Sequence, residues 1–542
     1  MKLLRSAALA TGLLLASTAL AQTPVVNAPS GSVSGTQDGS IREFKGIPYA
    51  VPPVGAMRWR PPAPMKPWQG VREAKDFGPA CVQPQAKTPT SVYSPPAPMP
   101  VSEDCLTLNI WAPANAKKAP VFFWIHGGAL SGGSSREPMY DGKKMAEQGV
   151  IVVSINYRLG VLGWLAHPAL SAESPQKVSG NYGLLDQEGA LAWVKHNIAA
   201  FGGDPANVTI AGESAGGLSV MFLMQSPLAR GTFSKAIAQS AYMVAMPNLK
   251  KSPFGQPSAE AMGTMLSAGL QAPDLAALRG MDAQAITDAS AKMGFFPFGV
   301  VDGLVLPEQM VETFDQGKQA PVPILTGFNQ GEIRSLMMLA AKPPATAEDY
   351  EKGIREKYGE FADAFLKLYP AADYKESILQ TTRDALYGWT SERLARKQAA
   401  IGQPAYVYLW DHGYPAMNDA KLHSFHASEL PYVFGNLQPL PPLWPKMPES
   451  DRPLSDAMLG YWTSFAKTGV PSAAGAPAWT AWGKARNYMH FTDMPMPEAG
   501  LMPGMYDQYE AVVCRRRAAG IAWNWNVGLN SPKLPAKAKG CD

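Results

Sequence analysis

Histidine and cysteine are scarce in this 542-residue chain, with seven of the first and four of the second. No C-x-x-C pair and no clustered histidine spacing occurs, so the sequence offers no metal motif, and neither metal nor cofactor is expected. Charge of one sign is not in excess: 48 basic residues face 44 acidic ones, a net of +4. Arg515-Arg516-Arg517 is the one basic block, which argues against a nucleic-acid partner. No apolar run reaches the ~20 residues that span a bilayer. With 17% charged and 46% hydrophobic residues, the chain is too apolar for disorder and has ample material for a large core.

The N-terminus carries a leader pattern. Lys2 and Arg5 form a basic start, residues 7–16 a short apolar stretch, and Ala19-Leu20-Ala21 a small-x-small cleavage site ahead of Gln22. Residues 1–21 are therefore read as a signal peptide. Residues 22–542 are read as one mature domain, exported to the periplasm or the medium without a stable membrane anchor. Four cysteines suit an oxidising compartment. Cys81 and Cys105 flank a proline-rich loop, and Cys514 and Cys541 lie near the C-terminus. Sequential pairing is the simplest of the three connectivities.

Strands alternate with helices along most of the chain. Residues 25–45 read as a β-meander punctuated by Gly31, Gly35 and Asp38-Gly39. LTLNIW (106–111), VFFWI (121–125), VIVVSIN (150–156), KAIAQS (235–240), VPILTG (322–327) and AYVYLW (405–410) read as strands. Residues 182–200 and 454–468 carry apolar side chains at helical spacing. Segments 246–320 and 335–403 read as helical insertions. The pattern predicts the α/β class, with a central, mostly parallel twisted sheet flanked by helices.

Residues 201–217, FGGDPANVTIAGESAGG, carry the sharpest local signal. Gly202 and Gly203 can stop a helix, and Asp204, Pro205 and Asn207 predict a turn. Residues 208–211 are a buried strand. Gly212-Glu213-Ser214-Ala215-Gly216 is then a G-x-S-x-G elbow, with a helix following. The glycines are required where the chain doubles back and a Cβ would clash. The helix start aims N–H groups and a positive dipole end at the serine. Ser214 is therefore the candidate nucleophile.

A serine hydroxyl is a weak nucleophile at neutral pH. It needs a base, a carboxylate that orients the base, and donors for the oxyanion. In this architecture the acid and the base follow the serine in sequence. His412, His423, His426 and His490 lie downstream. His426, in HSFHASELPYVFGN, is the preferred base, and His423 is the alternative. Glu332, in GFNQGE after the strand 322–327, is the best-placed carboxylate. Gly127, Gly128 and Ala129 follow strand 121–125 directly. With the N–H of Ala215 they offer oxyanion donors. His126 is expected to brace that loop. Phe295, Phe296, Phe298, Met337 and Met338 read equally as substrate wall or ordinary core.

At these residues the sequence resembles the type B carboxylesterases, the cholinesterase-like branch of the α/β-hydrolases. FGGDPANVTIAGESAG matches that family's serine signature, and EDCLTLNIWAP (103–113) its second signature. Matching features run from about residue 35 to 482. HGGA and HPALSAESPQKVSGNYGLLDQ are similar to the bacterial para-nitrobenzyl-esterase-like branch. The resemblance implies an α/β-hydrolase fold, a Ser214–Glu332–His426 triad, and a disulfide between Cys81 and Cys105. It also implies supporting positions beside the triad for Glu213 and Ser240. Three positions depart from the pattern: Ala129, Ala241 and Ile333 each stand where glycine is usual. The implied activity is hydrolysis of small-molecule carboxylic esters through an acyl-enzyme. Narrower alternatives are an esterase for a mycotoxin, a phenolic ester or a synthetic aryl ester, or a non-catalytic binding module on the same fold.

Overall fold

The structure is a computed structural model and describes residues 23–85, 88–94 and 98–541. The expected signal peptide lies outside the described residues.

An 11-stranded sheet forms the centre. In chain order its strands are β1 (Thr36–Asp38), β2 (Ile41–Pro48), β3 (Thr107–Pro113), β4 (Ala119–Ile125), β5 (Ile151–Ile155) and β6 (Gly203–Glu213). They continue as β7 (Lys235–Gln239), β8 (Ile324–Asn329), β9 (Ala405–Trp410), β10 (Tyr488–Phe491) and β11 (Pro495–Glu498). Across the sheet the order is β1-β2-β3-β5-β4-β6-β7-β8-β9-β10-β11. From β5 across to β10 the neighbours run parallel, and antiparallel pairs close both edges. This is the α/β-hydrolase arrangement expected from the sequence.

The continuous apolar strands follow from burial on both faces. Along β4, Val121, Phe123 and Ile125 enter one core cluster, while Phe122 and Trp124 enter the other. The helix α1 (Tyr182–Asn197) covers the first face, and so does α2 (Ala215–Gln225), every residue of which is buried. On the second face the long helix Arg452–Thr468 buries Met458, Leu459, Trp462 and Phe465 at the predicted spacing.

Differences from the expected elements are local. The meander over 25–45 divides between two sheets: Val25–Ala28 and Gly31–Ser34 join Val71–Glu73 in a three-stranded sheet, and the rest forms β1 and β2. The turn expected at 204–207 is absorbed into β6 as an irregularity, with a register shift between Gly203 and Val208. There Asp204 accepts a hydrogen bond from the N–H of Ala206 at 2.9 Å. Strands β10 and β11 and the helix Met505–Ala518 had no counterpart in the sequence reading. Each of the two strands has four residues, and β11 contains two prolines, which are tolerated because it is an edge strand. The Arg515-Arg516-Arg517 block is not a basic surface. Arg515 and Arg516 are buried, and Arg515 and Arg517 pair with Glu360 and Asp315.

Candidate active site

Register alone gathers the site. Ile125 of β4 lies opposite Gly212 of β6, Glu213 opposite Gln239 of β7, and Gln239 opposite Gly327 of β8. The segments leaving these strands, at 126–129, 214 and 330–332, therefore emerge along one carboxyl edge of the sheet, where open α/β folds place ligands.

Ser214 sits at the corner between β6 and α2 with φ +56° and ψ −120°, a conformation that costs a non-glycine residue energy. The flanking glycines admit no side chain. A Cβ on Gly212 would stand 2.4 Å from the Gly216 carbonyl carbon, and one on Gly216 would stand 2.1 Å from the Ile125 oxygen. The Ser214 N–H is held by the Gln239 carbonyl at 3.0 Å. Nearby, Gly127 faces Glu213 and the Ser214 Cβ with no space for a methyl group. Gly128, Ala129 and Leu130 all take positive φ. Among the described residues, no hydrogen bond engages the N–H of Gly127, Gly128, Ala129 or Ala215. The Ala215 N–H is free because it opens a helix. His126 braces this turn: its Nδ1 donates to the Gly127 carbonyl at 2.8 Å, and its ring stacks on Tyr157 at 4.6 Å. Burial lowers its pKa to about 4, so it is neutral.

Two loops bring the carboxylate and the imidazole together. The N–H of Gly331 bonds to the Ser424 carbonyl at 2.9 Å, and Asn329 Nδ2 donates to the Phe425 carbonyl at 2.8 Å. Glu332 Oε1 accepts the Asn329 N–H at 2.9 Å, and its Oε2 lies 2.5 Å from His426 Nδ1. Tyr93, from the loop between Cys81 and Cys105, donates to the His426 carbonyl at 3.0 Å. The other three downstream histidines serve elsewhere. His412 pairs with Asp451 and Asp493, His423 with Asp411, and His490 with Asp411 and Glu498.

His426 Nε2 lies 3.1 Å from Glu213 Oε1, and no hydrogen bond joins it to Ser214 in this conformation. Burial pushes the Glu213 carboxyl up to about 8. Burial also opposes a charge on His426, but the carboxylates of Glu213 and Glu332 outweigh it and raise the imidazole to about 9. The two groups titrate as a pair. Glu332 on Nδ1 favours the charged ring.

Residues the sequence reading passed over complete the network. Glu429, three positions after His426, accepts from Gln239 Nε2 at 2.9 Å and Asn329 Nδ2 at 2.7 Å, and burial raises it to about 7. Gln239 in turn accepts from Trp462 Nε1 at 3.0 Å. The spacing of Glu429 after His426 was a usable signal; Tyr93, in a proline-rich loop, gave none. Ser240 is buried beside them with φ +42°, and its Oγ has no hydrogen-bond partner.

Ser214, His426 and Gly127 to Ala129 open onto one cavity of about 480 Å³. Its wall is rich in aromatic and thioether side chains, including Tyr242, Tyr387, Trp444 and Trp525; among the described residues Glu137 and Glu213 line it and no lysine or arginine does. Of the five apolar candidates, Phe296 and Met338 line this cavity and Phe295 and Phe298 line a neighbouring groove; Met337 is exposed and lines neither. Cys81 is bonded to Cys105, and Gln83, Tyr93 and Met99 of the enclosed loop join the cavity wall. Cys514 is bonded to Cys541.

The profile of the carboxylesterase family matches residues 22–511. The chain is 38% identical to the fumonisin B1 esterase of Sphingopyxis macrogoltabida, over 85% of each chain. It is 35% identical to the para-nitrobenzyl esterase of Bacillus subtilis (strain 168), over 84% of this chain and 92% of the relative. Among solved structures, a PNB esterase superposes with a TM-score of 0.76 at 31% identity, covering 90% of this chain and 99% of that one.

Proposed function

We propose a mechanism for a chain that belongs to the carboxylesterase family and is therefore a carboxylic ester hydrolase. Ser214 Oγ attacks the ester carbonyl, and His426 Nε2 takes its proton and passes it to the leaving alcohol. Glu332 fixes the imidazole through Nδ1 and stabilises its charged form. The N–H groups of Gly127, Gly128, Ala129 and Ala215 receive the oxyanion. Water, activated by the same histidine, then hydrolyses the acyl-Ser214 intermediate. Before the first step the ring must turn its Nε2 from Glu213 toward Ser214. Hydrogen bonds of this kind often tighten only once substrate is bound.

The observation that carries the reading is the Glu332–His426 contact beside a strained, half-buried serine. The carboxyl groups of Glu137 and Glu213 in the described wall disfavour an anionic ester. The leader pattern at 1–21 and the two disulfides support an exported enzyme. A narrower reading, an esterase for a mycotoxin, has the fumonisin B1 esterase similarity in its favour. The test is hydrolysis of para-nitrophenyl acetate by the purified chain beside Ser214→Ala. Turnover in the first and none in the second is expected; equal turnover in both would refute the assignment.

A further inference from the structure

Beside the catalytic cavity lies a second hollow that the proposed chemistry does not use. It has a volume of about 430 Å³. It is built on α3 (Ala259–Gly269) and on the segment that follows α4 (Ala283–Lys292). Among the described residues, no charged, hydroxyl or amide side chain lines it. Three of its lining residues, Met265, Met293 and Phe296, are 65%, 46% and 43% exposed. Large apolar side chains gathered at the surface in this way mark a place where something apolar binds.

The two hollows share a wall. Phe296 lines both. Its ring lies edge-on to Trp525 of the catalytic cavity at 5.5 Å and 5.1 Å from Phe298 of the groove. Phe296, which is 43% exposed, is thus the side chain that stands between the cavity at Ser214 and the groove on α3. The floor of the groove suits a flexible occupant, since Met262, Met265 and Met293 are thioethers that repack easily. Met293 folds across α3 at Gly269, where any Cβ would collide with its methyl group.

We propose that this groove is an extension of the substrate site and takes the aliphatic tail of a long-chain ester, entering past Phe296. The inference rests on ester hydrolysis at Ser214 and narrows it to substrates with a chain too long for the catalytic cavity alone. The occupant is a hydrocarbon chain rather than a polar group, because the described side chains that line the groove are almost all apolar. A single side chain, Phe296, divides the groove from the cavity at Ser214, so a substrate tail that passes it reaches the groove directly. Each methylene laid in the groove raises kcat/KM by about threefold until the groove is filled.

The test varies both ends of the ester, with para-nitrophenyl esters from acetate to dodecanoate and alkyl acetates from butyl to dodecyl. Each substrate is kept below its solubility limit. The chain as it stands is compared with the double variant Met265→Glu, Met293→Glu. Both positions are exposed and line only the groove, so folding tolerates charge there; a melting curve checks this. Met293→Leu serves as the conservative control. In one of the two series kcat/KM should climb with length, and the double variant should lose at least about tenfold on the longest esters. Para-nitrophenyl acetate should stay within about twofold, and Met293→Leu should behave like the parent. Flat profiles in both series, or an equal loss on short and long esters, would overturn the proposal. So would a double variant that alters self-association while leaving the length profile intact. Serine-dependent turnover of the acetate ester separates these failures from a failure of the ester-hydrolase reading itself.

Discussion

The elbow around Ser214 and the wall of the cavity above it obey opposite rules. At the elbow, backbone meets backbone: Gly212, Gly216 and Gly217 each face a main-chain atom at a distance no Cβ can share. The wall is assembled from side chains on separate segments, from Gln83 to Trp525, and two of them, Met338 and Phe296, are exposed. One region is fixed by sterics and should tolerate nothing. The other should tolerate substitution and answer with a change of substrate. On the proposed mechanism, chemistry and selectivity are thereby assigned to different parts of the molecule.

Breaking the elbow gives the largest effects. Ser214→Ala should lower kcat by at least about 10⁴ with an unchanged melting curve, since the triad works as a unit. Near-normal turnover in a folded variant would remove the distinction between the regions. Gly127→Ala should cost about 10²–10³ in kcat, because its methyl group would displace a donor loop pressed against Glu213 and Ser214. Activity assays on the purified variant settle that point.

The disulfide loop tests the wall. Removing the Cys81–Cys105 bond with two serines should cost about 3 kcal/mol of stability in the chain-entropy view. Because Tyr93 and Met99 line the cavity, KM should rise more than kcat falls. A melting curve and a substrate titration read both quantities. An unchanged KM would mean that the loop does not touch substrate.

The pH profile sharpens the comparison at the point where the regions meet. The base must be neutral to act, and the carboxylates beside it raise His426 to about 9. Activity should therefore rise with pH along a limb that lies above 6.5, the value of a free imidazole. Glu213→Gln removes a carboxylate facing Nε2, so the charged ring loses support and the limb should move toward acid. A profile of kcat/KM against pH checks the direction, and an alkaline shift would contradict it. The smallest effect belongs to the wall proper. Met338→Ala should reorder a panel of esters by about tenfold or less while leaving para-nitrophenyl acetate nearly unchanged.

The same division explains what could be read from the sequence. The elbow was legible because its motif is local: five consecutive residues carry it, although atoms of Ile125 and Gln239 supply part of the crowding. The sheet strands of the central, parallel part were legible because burial on both faces leaves continuous apolar runs. Glu332 and His426 needed the order of the triad and the family resemblance, since 94 residues separate them. Tyr93 reaches His426 across 333 residues, and no periodicity encodes such a contact. The wall residues share no pattern at all, so of five guessed candidates two face the catalytic cavity. Composition also does not show that two guanidinium groups of the Arg515-Arg516-Arg517 block are buried or that Arg515 and Arg517 have carboxylate partners.

The central claim is that Ser214 is the group that becomes acylated. Treating the purified chain with diethyl para-nitrophenyl phosphate and measuring intact mass, followed by peptide mapping, tests it most directly. One diethylphosphoryl group per chain, located on Ser214 and absent in Ser214→Ala, is the predicted result. Loss of activity with the adduct on any other residue, or with none, would contradict it.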